Sequence, residues 1–205
     1  MVISLKIFYD TKNEFYNANN RCLNRCVTIN HNNTFYYYEF MIKDLCAHVK
    51  YNDLKFIEEA VNYFHDDNLY IYKYITDDDK YYQEFDKIFT FKLPINILQP
   101  SKFFIDELVL NTLEENIDID DEYYIPVNII DDEYVILDGH TLLLLLANNY
   151  KKMVNVYIAD YDEYIPDFVY ICKEGNIKNI KNIHVLKHEE YELYWNQFLE
   201  QFNIE

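Results

Sequence analysis

Tyr134-Val135-Ile136-Leu137-Asp138-Gly139-His140-Thr141-Leu142-Leu143-Leu144-Leu145-Leu146-Ala147 reads as a strand, a tight turn and a helix in immediate succession. The first four residues are β-prone, and the run from Leu142 to Ala147 is a strong helix former. The turn between them holds one of only two glycines in 205 residues. A chain this poor in glycine keeps one where the backbone must take a shape that other residues resist. A strand–turn–helix junction also leaves free backbone N–H groups at the helix start, and those attract phosphate or another anion.

The elements on either side follow from periodicity and punctuation. Ile125 to Ile130 reads as a strand that turns at Asp131-Asp132-Glu133 into Tyr134 to Leu137, a hairpin pattern. The helix spans Thr141 to Tyr150, and Met153 to Ala159 returns as a strand. Upstream, Ile88 to Leu93 is a strand, Pro94 and Pro100 fix the path, and Ser101 to Asn116 reads as a helix before an acidic loop, Asp118 to Glu122. Downstream, a helix over Asp162 to Glu174 is closed by Gly175, and a last helix covers His188 to Phe202.

The first 88 residues read differently. Val2 to Tyr9 is a strand, Asp10 to Asn33 a polar loop, and Thr34 to Phe40 an aromatic strand. Ile42 to Val49 and Asn52 to His65 read as helices, the latter capped by Asn52. Leu69 to Ile75 reads as a strand, Asp77-Asp78-Asp79 as a solvated turn, and Lys80 to Phe85 as a short helix. The expected class is therefore α+β, divided into an N-terminal region of short strands and helices (1–88) and a second domain with a helical C-terminal tail (89–205).

Composition bounds the function. Half the residues are apolar, and 22 Tyr and 14 Phe beside 4 Pro suggest the bias of an AT-rich genome, with the tyrosines filling core edges. A formal charge of −18, from 36 acidic and 18 basic residues, repels nucleic-acid phosphate and anionic membranes. Direct DNA binding is not expected. No apolar run is long enough to cross a bilayer and no leader pattern is present, so a cytoplasmic protein with reduced cysteines is expected. Cys22-Leu23-Asn24-Arg25-Cys26 with His31, Cys46 and His48 lacks the usual CxxC knuckle, and the acidic clusters lack an EF-hand glycine, so no metal site is expected.

The second domain resembles a known family. Leu93-Pro94-Ile95-Asn96-Ile97-Leu98-Gln99-Pro100-Ser101-Lys102 is similar to the opening box of the ParB/sulfiredoxin fold. Ile125-Pro126-Val127 with Tyr134 to Thr141 resembles its second box, nearest a small bacterial subgroup whose turn reads Asp-Gly-His-Thr-Arg. Asn149 to Tyr157 is similar to the stretch that returns to the sheet, and Tyr170 to Trp195 resembles the helical end. The likeness covers about residues 90 to 202 and implies binding of ATP, ADP or CTP, with Mg²⁺, and in some members phosphoryl transfer or nucleotide hydrolysis. Carried over, Gly139, His140 and Thr141 form the phosphate cradle, Asp138 a helix cap or metal contact, and Ser101 and Lys102 the facing edge. The subgroup's Arg is Leu142 here. Loss of that guanidinium removes a bidentate phosphate contact worth about 1.5–3 kcal/mol.

Two function classes follow. One is a degenerate nucleotide-binding module that acts as a binding or regulatory protein through protein contacts; its enzymatic counterpart is a phosphotransferase or hydrolase using His140, Thr141 and Ser101. The other is an acidic immunity or DNA-mimic protein that meets a basic protein partner, for which a charge of −18 would speed association. Chromosome partition is not expected, because a basic DNA-binding domain does not follow Ala159.

Overall fold

The structure, a computed structural model, describes residues 6–9 and 25–201. The fold is α+β, and the chain divides into two compact units, Met1–Ile88 and Phe89–Glu205. Among the described residues no helix is long and apolar enough to cross a membrane.

The first unit is a six-stranded sheet in sequential order: β1 (Lys6–Tyr9), β2 (Cys26–His31), β3 (Thr34–Lys43), β4 (Cys46–Tyr51), β5 (Lys73–Ile75) and β6 (Tyr82–Glu84). Only β4 and β5 pair in parallel, because α1 (Ile57–Asp66) lies between them in sequence. Val27, Ile29, Tyr38, Phe40, Ala47 and Val49 face inward, where Ile57, Ala60, Val61 and Phe64 of α1 meet them. The Phe40 and Phe64 rings stack with centroids 3.9 Å apart.

Several sequence expectations fail in this unit. Ile42 to Val49 is no helix: Asp44 and Leu45 both take positive φ (51° and 62°), the signature of a two-residue hairpin turn joining β3 to β4. Asn52 does not cap α1. Its Oδ1 accepts the Tyr37 N–H at 2.9 Å and its Nδ2 donates to the Phe35 carbonyl at 3.3 Å, bracing β3 instead. Lys80 to Phe85 forms β6. The polar loop expected from Asp10 ends early as well, since Cys26–His31 is a strand with Val27 and Ile29 fully buried; residues 10–24 and Phe202 lie outside the described residues. Cys26 is disulfide-bonded, against the expectation of reduced cysteines, while Cys46 and Cys172 are free thiols. Sequence spacing does not decide whether two sulfurs meet.

The second unit is built on β7 (Thr90–Pro94), β9 (Tyr124–Ile130), β10 (Glu133–Ile136) and β11 (Met153–Ile158), in the order β10-β9-β11-β7. The hairpin turn is Asp131-Asp132, again with both φ positive. β9 and β11 run parallel, joined through β10 and α3 (His140–Asn148). The apolar run of α3 packs Leu143, Leu144 and Leu146 on Ile125, Val127, Val154 and Val156. Ile165 and Val169 of α4 (Ile165–Glu174) pack with Ile130 and Val135. The helix expected from Ser101 begins only at Glu107. Phe104–Asp106 is β8, paired in parallel with β12 (His184–Leu186), and Asp106 caps α2 (Glu107–Asn116) by accepting the Leu108 N–H at 2.9 Å. The described residues end in α5 (His188–Gln201).

Gly175 is the C-cap of α4, as expected, with φ −75°, and Asn176 after it takes the left-handed +61°. The Ile177 N–H reaches the Cys172 carbonyl at 2.7 Å and the Asn176 N–H the Lys173 carbonyl at 3.0 Å, a Schellman closure with Asn176 as its left-handed residue. Tyr150 (φ 62°) closes α3 the same way, with the Lys151 N–H on the Leu146 carbonyl.

Candidate functional site

The strand β10 delivers the chain to Gly139, which adopts φ +79° and caps α3. An added Cβ would lie 2.8 Å from Ile125 Cδ1, so glycine is required there for both conformation and space. Among the described residues no side chain caps the first-turn N–H groups of α3. Asp138 is exposed and makes no hydrogen bond among the described residues, so it is not the helix cap it was expected to be, and Thr141 is half-buried.

A second segment meets this turn along the edge of β10. Gln99 forms a parallel bridge with Val135: its N–H reaches the Tyr134 carbonyl at 2.8 Å and its carbonyl accepts the Ile136 N–H at 2.9 Å. Gln99 Nε2 ties the same segment to the Ile177 carbonyl at 2.9 Å. Two residues on, the Ser101 N–H donates to His140 Nε2 at 3.1 Å, and Ser101 Oγ donates to the Ile136 carbonyl at 2.6 Å. Both side chains are buried, at 4% and 5% exposure.

His140 therefore accepts at Nε2 and carries its proton on Nδ1. Burial, and secondarily the Lys102 charge, pushes its pKa down to about 3, so the ring is neutral at any physiological pH. A neutral ring whose acceptor nitrogen is occupied is neither an imidazolium for a phosphate nor a free general base. Lys102 has its ammonium above two rings of α5, 5.4 Å from the Tyr191 centroid and 5.0 Å from that of Trp195.

The structure thus brings Ser101, Gly139 and His140 together and puts Lys102 within electrostatic range, while Asp138 faces solvent. Gln99, Tyr191 and Trp195 also shape the site and carry no local sequence signal for it; only the bridge and the packing of α5 reveal them. None of the six candidate residues lines the shallow cleft of about 300 Å³ bounded by Phe104, His184, Val185, Leu186 and Tyr194. Among the described residues no group of three or more His, Cys, Asp or Glu side chains is placed to hold a metal ion.

No protein-family model matches the chain, and no curated protein matches it either. Among solved structures, it is similar to protein Atu1540 from Agrobacterium tumefaciens, at 17% identity and a TM-score of 0.35. That alignment covers 49% of this chain and 64% of the other, less than two thirds of its length, a likeness too slight to bear on fold or function.

Proposed function

We propose that residues 89–205 form a degenerate module of the ParB/sulfiredoxin nucleotide-binding fold that acts as a binding or regulatory protein through protein contacts, without turnover. The observation that carries this reading is the mutual use of Ser101 and His140. The Ser101 hydroxyl is committed to the Ile136 carbonyl and the His140 acceptor nitrogen to the Ser101 N–H. The two groups that would serve phosphoryl transfer are thus buried and bonded inward, and Leu142 stands where the subgroup's cation would be.

Calorimetric titration with ATP, ADP and CTP, with and without Mg²⁺, tests it. Weak or absent binding and no hydrolysis are expected. Leu142→Arg should raise affinity by about 10- to 100-fold, the worth of a bidentate charge-assisted contact. Tight binding with turnover by the unaltered chain would favour the phosphotransferase or hydrolase reading, which the uncapped first turn of α3 keeps in play.

The partner in this reading is a basic protein, such as a toxin, nuclease or DNA-binding protein, met by a chain of charge −18. Co-purification at low and high salt should recover it only at low salt. A cytoplasmic setting belongs to the same reading. The disulfide at Cys26 weighs against it, because reducing compartments keep such bonds open; thiol alkylation in freshly lysed cells decides the point.

A further inference from the structure

Asn176-Ile177-Lys178-Asn179-Ile180-Lys181-Asn182-Ile183-His184-Val185-Leu186-Lys187 repeats one pattern by threes, with an aliphatic residue followed by a base. The structure follows the same period. Ile177, Ile180 and Ile183 are buried in the core of the second unit at 2%, 1% and 6% exposure, while Lys178, Lys181, His184 and Lys187 are exposed. A 3-10 turn, Ile180–Asn182, lies at the centre of the segment, and its three residues per turn set every third side chain on one side. The isoleucines anchor the segment and the bases are directed to solvent.

Such a basic strip stands out in a chain of charge −18. Elsewhere Lys50, Lys80, Lys92, Lys151 and Lys173 lie against carboxylates. Among the described residues the ammonium groups of Lys178, Lys181 and Lys187 form no ion pair and cover no ring. The strip also borders the shallow cleft of about 300 Å³. His184, Val185 and Leu186 of β12 line that cleft from within the strip, Phe104 stands opposite His184 in the pairing with β8, and Tyr194 of α5 completes the wall. The Phe104 ring centroid lies 6.4 Å from that of His184 and 6.0 Å from that of Tyr194. Val185 and Tyr194 remain 41% and 48% exposed, so the cleft offers apolar surface to a visitor, with Lys181 and Lys187 flanking β12 in sequence.

We propose that this strip and cleft bind an acidic peptide segment of a partner protein, with an aromatic side chain of that segment in the cleft and its carboxylates on Lys178, Lys181 and Lys187. Charge complementarity selects the occupant. A short acidic segment carries its charge only as far as the bases extend. A single-stranded nucleic acid has a phosphate at every nucleotide and would run off the strip onto a strongly acidic protein, with Glu189 and Glu190 standing directly after it. The cleft selects the anchor, because Phe104 and Tyr194 give an incoming ring aromatic contacts beyond the area it buries. This surface is separate from the α3 turn, and it takes a partner opposite in charge to the basic protein that the whole chain would attract, so it does not depend on the functional reading above.

Fluorescence anisotropy with the full chain and a fluorescein-labelled peptide, Asp-Glu-Asp-Phe-Asp-Glu, tests it. The peptide should bind with a Kd below about 1 mM and weaken several-fold between about 50 mM and about 500 mM salt. Replacing its Phe by Ser should cost about ten-fold or more, the loss of one buried ring. Lys181→Glu with Lys187→Glu should cost about ten-fold. Lys43→Glu with Lys152→Glu, exposed lysines outside the strip, makes the same change in net charge and should leave affinity within about two-fold. Absent binding, an unaffected serine peptide, or equal loss in the two double variants overturns the proposal. So does an oligothymidine that binds as tightly and is lost with Lys181 and Lys187, which assigns the strip to nucleic acid. Self-association of the unaltered chain in sedimentation, abolished by Lys181→Glu with Lys187→Glu, assigns it to a second copy and overturns it too. If that double variant does not fold, the two peptides and the salt series on the unaltered chain decide. No nucleoside triphosphate enters these measurements, so their failure leaves the functional reading standing, and the converse holds.

Discussion

Gly139→Ala isolates what the turn at the centre of the second unit requires. At φ +79° an alanine meets the left-handed penalty, about 1–2 kcal/mol. Its Cβ also comes within 2.8 Å of Ile125 Cδ1. A terminal methyl would ordinarily give way, but Ile125 is 1% exposed and packed in the core under α3, so its displacement adds about 1–3 kcal/mol of overpacking. The expected loss is about 2–5 kcal/mol, a large part of the stability of a domain this size. Urea unfolding followed by Trp195 fluorescence reads it, because that tryptophan lies in the same unit as the turn. The two causes separate in a double-mutant cycle with Ile125→Val, which removes Cδ1 at its own cost of about 0.5–1.5 kcal/mol. The pair should be less unstable than the sum of the singles by about 1–2 kcal/mol, with the backbone strain left over. An alanine variant within about 0.5 kcal/mol of the parent would refute the whole argument. Strict additivity would refute its steric half.

Three further outcomes follow. The His140 ring should remain neutral, with its proton on Nδ1, from about pH 8 down to about pH 5 in ¹⁵N-detected NMR; unfolding it frees a group of ordinary pKa near 6.5, so stability from this residue is complete above that value and falls as pH drops toward about 3. Ser101→Ala should cost about 1–2 kcal/mol in the same urea assay, because the Ile136 carbonyl loses its hydroxyl partner in a buried setting. Asp106→Ala should cost more than an exposed cap, about 2 kcal/mol, and lower the α2 contribution to far-UV circular dichroism, since one carboxylate serves both Leu108 and His188.

The second unit was more legible than the first, for reasons that lie in particular residues. Around Gly139 every local preference agrees: β-prone Val135 and Ile136, a glycine at the left-handed position, then five consecutive leucines, and the observed β10, turn and α3 follow that order. In the first unit local preference and tertiary structure diverge. Leu45, Cys46, Ala47 and Val49 are compatible with a helix, and only pairing with β3 and β5 makes a strand of Cys46–Tyr51. The helical composition of Ser101 to Asn116 likewise conceals β8, which exists because β12 arrives from about eighty residues away to pair with it. Gly139 and its neighbours were legible from the turn and Ser101 and Lys102 only from the family resemblance, and their roles were legible from neither. Nothing local in Gln99-Pro100-Ser101 states that Ser101 will bond His140, since that contact depends on a single bridge to Val135.

The placement of His140 bears on how a phosphate cradle fails. Losing a cation at the first turn of α3 would leave the N–H groups of the turn intact, and those alone attract anions only weakly in water. On the proposed reading such a failure would be compounded here, because the neighbouring polar groups bond inward. The Ser101 N–H fills the His140 acceptor nitrogen and the Ser101 hydroxyl bonds the Ile136 carbonyl, both residues at less than a tenth exposure, and a ring held neutral by burial adds no positive charge. Leu142, only partly buried, rests against the edge of the apolar cluster that holds Leu143 and Leu146. On that reading an arginine at position 142 would supply a cation without changing the Ser101–His140 contact. A gain of nucleotide affinity without hydrolysis in Leu142→Arg would then separate the two losses: the cation governs binding, and the inward-bonded pair governs chemistry.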